Sequence, residues 1–146
     1  FKLYFKTMKP LFYSLLFLIV LISCQEKVSP DSISKINGYW EIQKVQLPDG
    51  QEKEYSINET VDYIEWNDEK GFRKKVKPQF DGKFLTNDEF ETIQIKDSSG
   101  IFQIHYKTDF DQWSEEIVSL SDSILVLKNK QNLEYHYKRF KPISIQ

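Results

Sequence analysis

The sequence predicts an all-β fold, an antiparallel up-and-down β-barrel of eight or nine short strands, set behind a hydrophobic leader. Three observations carry this. From residue 36 onward the apolar residues recur with period two, the period of side chains that alternate across a strand. The apolar segments are short and separated by clusters of Pro, Gly, Asn, Asp and Ser, residues that build tight turns. No run keeps a 3.6-residue apolar period long enough for a crossover helix, and parallel strands need such crossovers, so the sheet is antiparallel and near-sequential. Closure into a barrel removes both exposed edges; a two-sheet sandwich satisfies the same alternation and remains the alternative.

Ahead of the domain, residues 11–24 read LFYSLLFLIVLISC. The apolar part, 12 residues from 11 to 22, has the length of a signal's hydrophobic segment and falls short of the roughly 20 that span a bilayer. Lys2, Lys6 and Lys9 precede it, as the basic flank of a signal requires. The single methionine, Met8, marks the expected start, which leaves Phe1 upstream of it.

The run closes on Leu21-Ile22-Ser23-Cys24, which resembles a bacterial lipobox. The resemblance implies diacylglycerol on the Cys24 sulfur and cleavage before it, with enough acyl chains for stable anchoring. A buried cysteine ending an uncleaved helix and cleavage by the ordinary signal peptidase are the alternatives. The predicted organisation is residues 1–23 as upstream residues and signal, 24–35 as lipidated cysteine and polar tether, and 36–146 as the barrel domain. Gln25-Glu26-Lys27 resembles weakly the charged segments that send some Bacteroidetes lipoproteins to the cell surface. The expected location is the cell envelope, most readily the outer membrane, with the periplasmic or surface face left open.

Removal of the leader lysines leaves 17 basic against 22 acidic residues, a net charge near −5. That balance excludes nucleic acid as a natural partner and gives the domain no attraction of its own to anionic lipid. With one cysteine in the chain, no intrachain disulfide can form, and the core alone must hold the fold.

Along the domain, residues 38–47 place Trp40 and Ile42 on one face but Val45 and Leu47 on the other, which predicts a bend or a bulge near Lys44. Pro48-Asp49-Gly50 turns the chain, residues 54–57 offer a short edge strand, and 61–67 a strand rich in branched and aromatic residues. Residues 67–71 turn into a basic strand, 72–76, with Pro78 marking an edge or interruption. Asp81-Gly82 is a turn between short apolar flanks. Residues 89–96 and 102–106 form the clearest hairpin about 97–100, with Ile93 and Ile95 facing Phe102, Ile104 and Tyr106.

Residues 108–113 interrupt the pattern before a strand over 115–120. Residues 124–127, ILVL, are the most continuously apolar and predict full burial. The last strand, 133–140, puts Leu133, Tyr135 and Tyr137 on one face and Glu134, His136 and Lys138 on the other, ending before Pro142.

Ile36-Asn37-Gly38-Tyr39-Trp40 resembles the first-strand Gly-x-Trp signature of lipocalin-like proteins. The resemblance implies a closed barrel end formed by Gly38 and Trp40, with a basic residue of the last strand, Arg139, against the tryptophan through a cation–π contact. It also implies an open mouth at the other end, which the sequence reading assigns to the loops around 48–52, 70–71 and 98–100. Trp66, Phe102, Tyr106 and Tyr135 are the candidate pocket lining, with Trp66, toward the middle or far end of its strand, readable as either core or pocket. The chain is most like small lipocalin-like lipoprotein domains of uncharacterised function.

Chemistry-bearing constellations are sparse. His105 and His136 sit on polar strand faces, where solvation is the ordinary state and a cross-strand metal pair lacks supporting ligands. Asp109, Asp111 and Glu115 lack the glycine and spacing of a calcium loop. Ser98-Ser99-Gly100 is a turn rather than a nucleophile elbow. No catalytic residue, metal or cofactor is assigned.

The function expected is a membrane-anchored, non-enzymatic lipoprotein binding a small apolar or amphipathic ligand, its partners being the bilayer through acylated Cys24 and that ligand. The competing class is an envelope adaptor with a filled barrel, docking a protein through its outer face or the 108–113 loop. A hydrolase-type enzyme is the third. The interior separates them: a cavity above about 300 Å³ with convergent polar groups favours a ligand.

Overall fold

The computed structural model describes residues 27–142. The leader, Cys24 and its expected acylation lie outside the described residues. A 3-10 helix, Pro30–Ile36, leads into β1 (Gly38–Gln46), β2 (Glu52–Glu54), β3 (Val61–Trp66), β4 (Gly71–Pro78), β5 (Phe84–Thr86), β6 (Glu91–Ser98), β7 (Ile101–Lys107), β8 (Gln112–Leu120), β9 (Ile124–Lys128) and β10 (Glu134–Arg139).

Every pairing is antiparallel, and β1 pairs with both β3 and β10, so the sheet closes and the sandwich is excluded. Ten strands fill eight barrel positions because two are split. Along β1, Lys44 to Gln46 pair with β2 and Gly38 to Trp40 with β3. Along β4, Val76 to Pro78 pair with β5 and Gly71 to Arg73 with β6. The eight-stranded antiparallel barrel is the architecture that the period-two pattern and short turns predict.

Side-chain alternation sets the core. Trp40 and Ile42 point inward; the register then slips between Ile42 and Lys44, and Val45, opposite Tyr135, is turned back to the inside. This is the bulge that the reversed faces of β1 require. In the hairpin β6–β7, Ile93 lies opposite Tyr106 and Ile95 opposite Ile104, and Ile93, Phe102, Ile104 and Tyr106 are buried together. In β9, Leu125, Val126 and Leu127 are buried, whereas Ile124 is 44% exposed, a correction to the expected burial of the whole run. Ile124 begins the strand at the barrel rim, where no further layer covers it.

Other elements differ from the sequence reading. The short edge strand forms at β2, two to three residues before the expected 54–57, because the 47–51 turn closes directly through Leu47 N–H to Gln51 C=O and Lys44 draws Glu52 to 2.6 Å. β8 begins at Gln112, so the interruption shrinks to 108–111, held by Thr108 and Asp111 backbone pairing. Residues 30–35, expected within a polar tether, instead form most of the 3-10 helix, and Val28, Ile33 and Ile36 join the core. Their apolar side chains are spaced among serines and charges, and composition masked them.

An up-and-down barrel alternates its connections between two ends. The turns at 67–70, 97–100 and 121–123 lie at the end that the 3-10 helix closes; those at 47–51, 79–83, 108–111 and 129–133 lie at the other. The Lys27 ammonium lies 3.9 Å from where a Cβ on Gly100 would stand, so the side chain of Lys27, ahead of the helix, reaches the 97–100 hairpin. The loops at 70–71 and 98–100 are therefore corrected from the open mouth to the closed end, and only the 48–52 loop lies at the mouth as expected.

The outer face carries an aromatic layer. Phe84 stacks on Tyr39 at 4.2 Å, Tyr39 packs on Tyr63, and Tyr63 on Phe72. Contact between β5 and β1 brings the β4–β5 hairpin against the outside of the barrel.

Candidate functional site

At the closed end, Trp40 is fully buried and donates its indole N–H to Ile36 C=O at 2.7 Å. The Arg139 guanidinium lies over the ring, 3.9 Å from its centroid. Arg139 also donates to the carbonyls of Lys35, Asn37 and Asp122, so one side chain ties the helix end, the 121–123 turn and the last strand. Helix-end carbonyls lack intrahelical donors, and a guanidinium supplies several at fixed angles. Burial lowers the affinity of Arg139 for its proton while Asp122 raises it, the net shift being downward.

Gly38 has φ +120, and a Cβ there would stand 2.7 Å from Arg139 Nη1. Glycine therefore meets both a backbone requirement and a steric one. Asn37 exchanges two hydrogen bonds with the Trp66 backbone. This places Trp66 at the closed end, correcting its expected position toward the middle or far end of β3.

The opposite half of the interior is polar. Asp62, Ile64 and Trp66 share the inward face of β3; Ile64 lies opposite Arg73, and Arg73 opposite Glu91. Glu115, opposite Ile104, points inward from β8. Arg73 Nε donates to Glu91 at 2.9 Å, Glu115 lies 3.8 Å from Arg73, and Lys75 reaches Asp62 at 2.6 Å. The guanidinium also covers the Tyr106 ring at 4.3 Å, and Tyr106 stacks on Trp113.

Arg73 thus pairs with Glu91 and Glu115 inside the barrel, while Lys75, its side chain largely exposed, pairs with the buried Asp62. Burial pushes the Glu115 carboxyl up, by more than nearby Arg73 pulls it down, and Asp62 and Glu91 add to the rise. Burial acts against the charge of Arg73, but Tyr106, the hydrogen-bonded Glu91 and Asp62 outweigh it and hold the guanidinium ionised. Tyr106 is pushed well above a tyrosine's ordinary value, chiefly by burial. Tyr106 Oη and Glu115 Oε2 are buried without a hydrogen-bond partner in the protein.

Glu91 and Lys75 also reach the wall of an open groove of about 700 Å³. The groove forms where the chain leaves the sheet between β5 and β6 and faces the 108–111 loop. Phe90 and Phe110 give it apolar surface, and Lys74, Lys107, Asp88 and Glu89 give it charge of both signs. Phe110 is 98% exposed.

The four side chains read as candidate pocket lining belong to the barrel core or pack against it. Trp66, Phe102 and Tyr106 are packed in the core, Tyr135 is half-buried against it with its hydroxyl accepting from Asn129, and none of them lines the groove. His105 faces outward, its proton affinity lowered by burial and then by Lys96 and Lys130. His136 lies 3.4 Å from Glu134. Among the described residues no three His, Cys, Asp or Glu side chains gather as a metal would need.

Sequence reading missed the Asp62–Arg73–Glu91–Glu115 cluster. A signal was present in β3, where Asp62 shares its period-two face with Ile64 and Trp66. None marked Arg73, which sits in a basic run that reads as a solvated face.

The family described as a lipocalin-like domain matches residues 36–127. Among solved structures, a lipocalin-like protein from Bacteroides uniformis is similar at 12% identity and a TM-score of 0.46, covering 73% of this chain and 99% of that one. An uncharacterized protein from Bacteroides eggerthii is similar at 12% identity and a TM-score of 0.45, covering 71% of this chain and 98% of that one. No curated protein matches. The family match takes in the Gly38-x-Trp40 strand and everything to the end of Leu127 in β9, well over half of the chain, and on that ground the chain belongs to the lipocalin-like domain family.

Proposed function

We propose that this protein is a lipid-anchored lipoprotein of the bacterial cell envelope that binds a small amphipathic ligand at the barrel end opposite the 3-10 helix. The observation that carries the reading is the continuity between groove and interior. Glu91 belongs to both, pairing with Arg73 inside while lining the 700 Å³ groove beside Phe90. Apolar surface beside a few convergent polar groups is the ordinary chemistry of a small-molecule site. An apolar body would lie on Phe90 and Phe110, and a hydrogen-bonding head would reach Lys75 and Glu91.

The lipobox-like sequence ending at Cys24 supports the anchor, and the outer membrane is the expected location. Charge within the groove shifts the ligand class from apolar toward amphipathic. The adaptor reading draws support from Phe80 and Phe110, 88% and 98% exposed at loop tips, which a protein partner could cover.

Mass spectrometry of small molecules retained by the natively extracted protein tests the lead reading. An amphipathic compound retained by the wild type and lost from the Phe90→Ala, Phe110→Ala double variant is the expected result. Consistent absence of any such compound would leave the adaptor as the better reading.

A further inference from the structure

We infer that the closed end of the barrel, formed by the 3-10 helix and the turns at 67–70, 97–100 and 121–123, rests on the bilayer, so that the ligand groove opens away from the membrane. This rests on the proposed acylation of Cys24. The argument is one of chain length. If residues 25–35 were a free tether, the domain would take any orientation. The structure shortens that tether, because Val28 is already buried in the core and Ile33 and Ile36 follow it.

Four residue steps separate Cys24 from Val28, and a fully extended chain covers at most about 14 Å in that interval. Lys27, the first described residue, reaches Gly100 in a closed-end turn with its side-chain ammonium. β1 has nine residues, and at about 3.3 Å per residue it runs roughly 30 Å, or a little over 20 Å along the axis of a tilted barrel. The acyl chains therefore cannot reach the far rim, and the end within their reach is the closed one.

The surface there suits a bilayer headgroup layer. Ile101 and Ile124, 49% and 44% exposed, begin β7 and β9 at this rim. Charge of both signs lies here, with Lys27, Lys35 and Lys70 among Asp31, Asp68, Glu69, Asp97 and Asp122, so the acyl anchor rather than attraction to anionic lipid holds this end. The groove between Glu91 and Phe110 lies in the opposite half, open to the aqueous compartment, so a ligand arrives from water or from a facing protein rather than by lateral movement out of the supporting leaflet.

Acylation occupies the one native thiol, so a single introduced cysteine reports position without interference. Full-length Ser98→Cys and Gln131→Cys variants, labelled with a fluorophore and reconstituted in phosphatidylcholine vesicles carrying a headgroup spin label, test the orientation. Fluorescence should be largely lost at position 98 and retained at position 131. A 12-residue Gly-Ser insertion after Gln25 should restore it at position 98. Equal quenching at the two sites, or stronger quenching at 131, overturns the orientation while vesicle flotation and an acylated mass leave the anchor standing. Protein that neither floats nor carries the acyl mass overturns the anchor, and the orientation with it.

Discussion

Arg139 of β10 lies directly opposite Trp40 of β1, and its guanidinium covers the indole 3.9 Å from the ring centroid, across the strand pair that closes the barrel. Stability should depend on both partners. Trp40→Ala should cost about 3–5 kcal/mol by emptying a fully buried site. Arg139→Ala should cost about 2 kcal/mol or more, since a cation–π contact and charged hydrogen bonds to three carbonyls are lost together. Arg139→Lys should recover only part, because an ammonium cannot reproduce the planar fork. Urea unfolding of the three variants measures this; a loss below 1 kcal/mol for Trp40→Ala would remove it from the core.

Gly38→Ala should be destabilising out of proportion to one methyl group. A side chain at φ +120 is strained by about 1–3 kcal/mol, and the added Cβ collides with Arg139 Nη1. The double variant Gly38→Ala, Arg139→Ala should cost less than the sum of the two single changes, because removal of the guanidinium also removes the collision. Strict additivity in denaturant midpoints would mean that Gly38 serves the backbone alone.

Much of this end was legible in the sequence and much of the other end was not, for a physical reason. Gly38, Trp40 and Arg139 are separated by almost the whole barrel, yet residue type and strand order sufficed to suggest their pairing, since the first and last strands of a closed meander must meet. Which loops share an end depends on counting strands correctly. β2 with β3 occupies one barrel position, and so does β5 with β6. Reading β2 as an independent strand, while the short apolar flanks of the Asp81-Gly82 turn go uncounted, reverses the direction of every strand from β3 on and puts the 70–71 and 98–100 turns at the mouth. The polar cluster was hidden for a different reason: Arg73 lies in Phe72-Arg73-Lys74-Lys75, where the inward residue cannot be told from its solvated neighbours until the register with Ile64 is known.

The buried charges predict a pH dependence with a definite sign. Because the folded-state affinity of Glu115 for a proton is raised above its ordinary value, the native state binds more protons than the unfolded one as pH climbs from about 4.5. Stability from this group is fully present at low pH and declines as pH rises through the interval between the ordinary and the raised value. Glu115→Gln, neutral throughout, should flatten that decline and be at least as stable as wild type at pH 7. Thermal unfolding from pH 4 to 8 checks this; a variant markedly less stable at pH 7 would mean that the ionised Glu115–Arg73 contact outweighs the cost of burial.

Arg73→Ala should behave in the opposite way. It leaves Glu91 and Glu115 without their shared cation, and breaking a buried charge network in this manner costs about 3–5 kcal/mol. The loss should be largest at neutral pH and smaller near pH 4, where Glu115, its carboxyl pushed up by burial, is protonated. A pH-independent loss would point to packing against Tyr106 as the dominant role of Arg73.

The 3-10 helix separates a tether from a structural plug. Ile36 is completely buried and its carbonyl accepts the Trp40 indole N–H, while Ser34, two residues earlier, is exposed. Ile36→Ala should therefore cost about 2–5 kcal/mol, and Ser34→Ala no more than about 0.5 kcal/mol. Ile33→Asp should be worse than either, because it places an unpaired carboxylate within the core that Ile33 shares with Val28. If residues 30–36 only spaced the domain from an anchor, all three variants would unfold at the wild-type denaturant midpoint. A shift confined to Ile33→Asp and Ile36→Ala would show that the helix is part of the barrel's folded core, which is the condition for so short a connection to Cys24 to hold the closed end against a membrane.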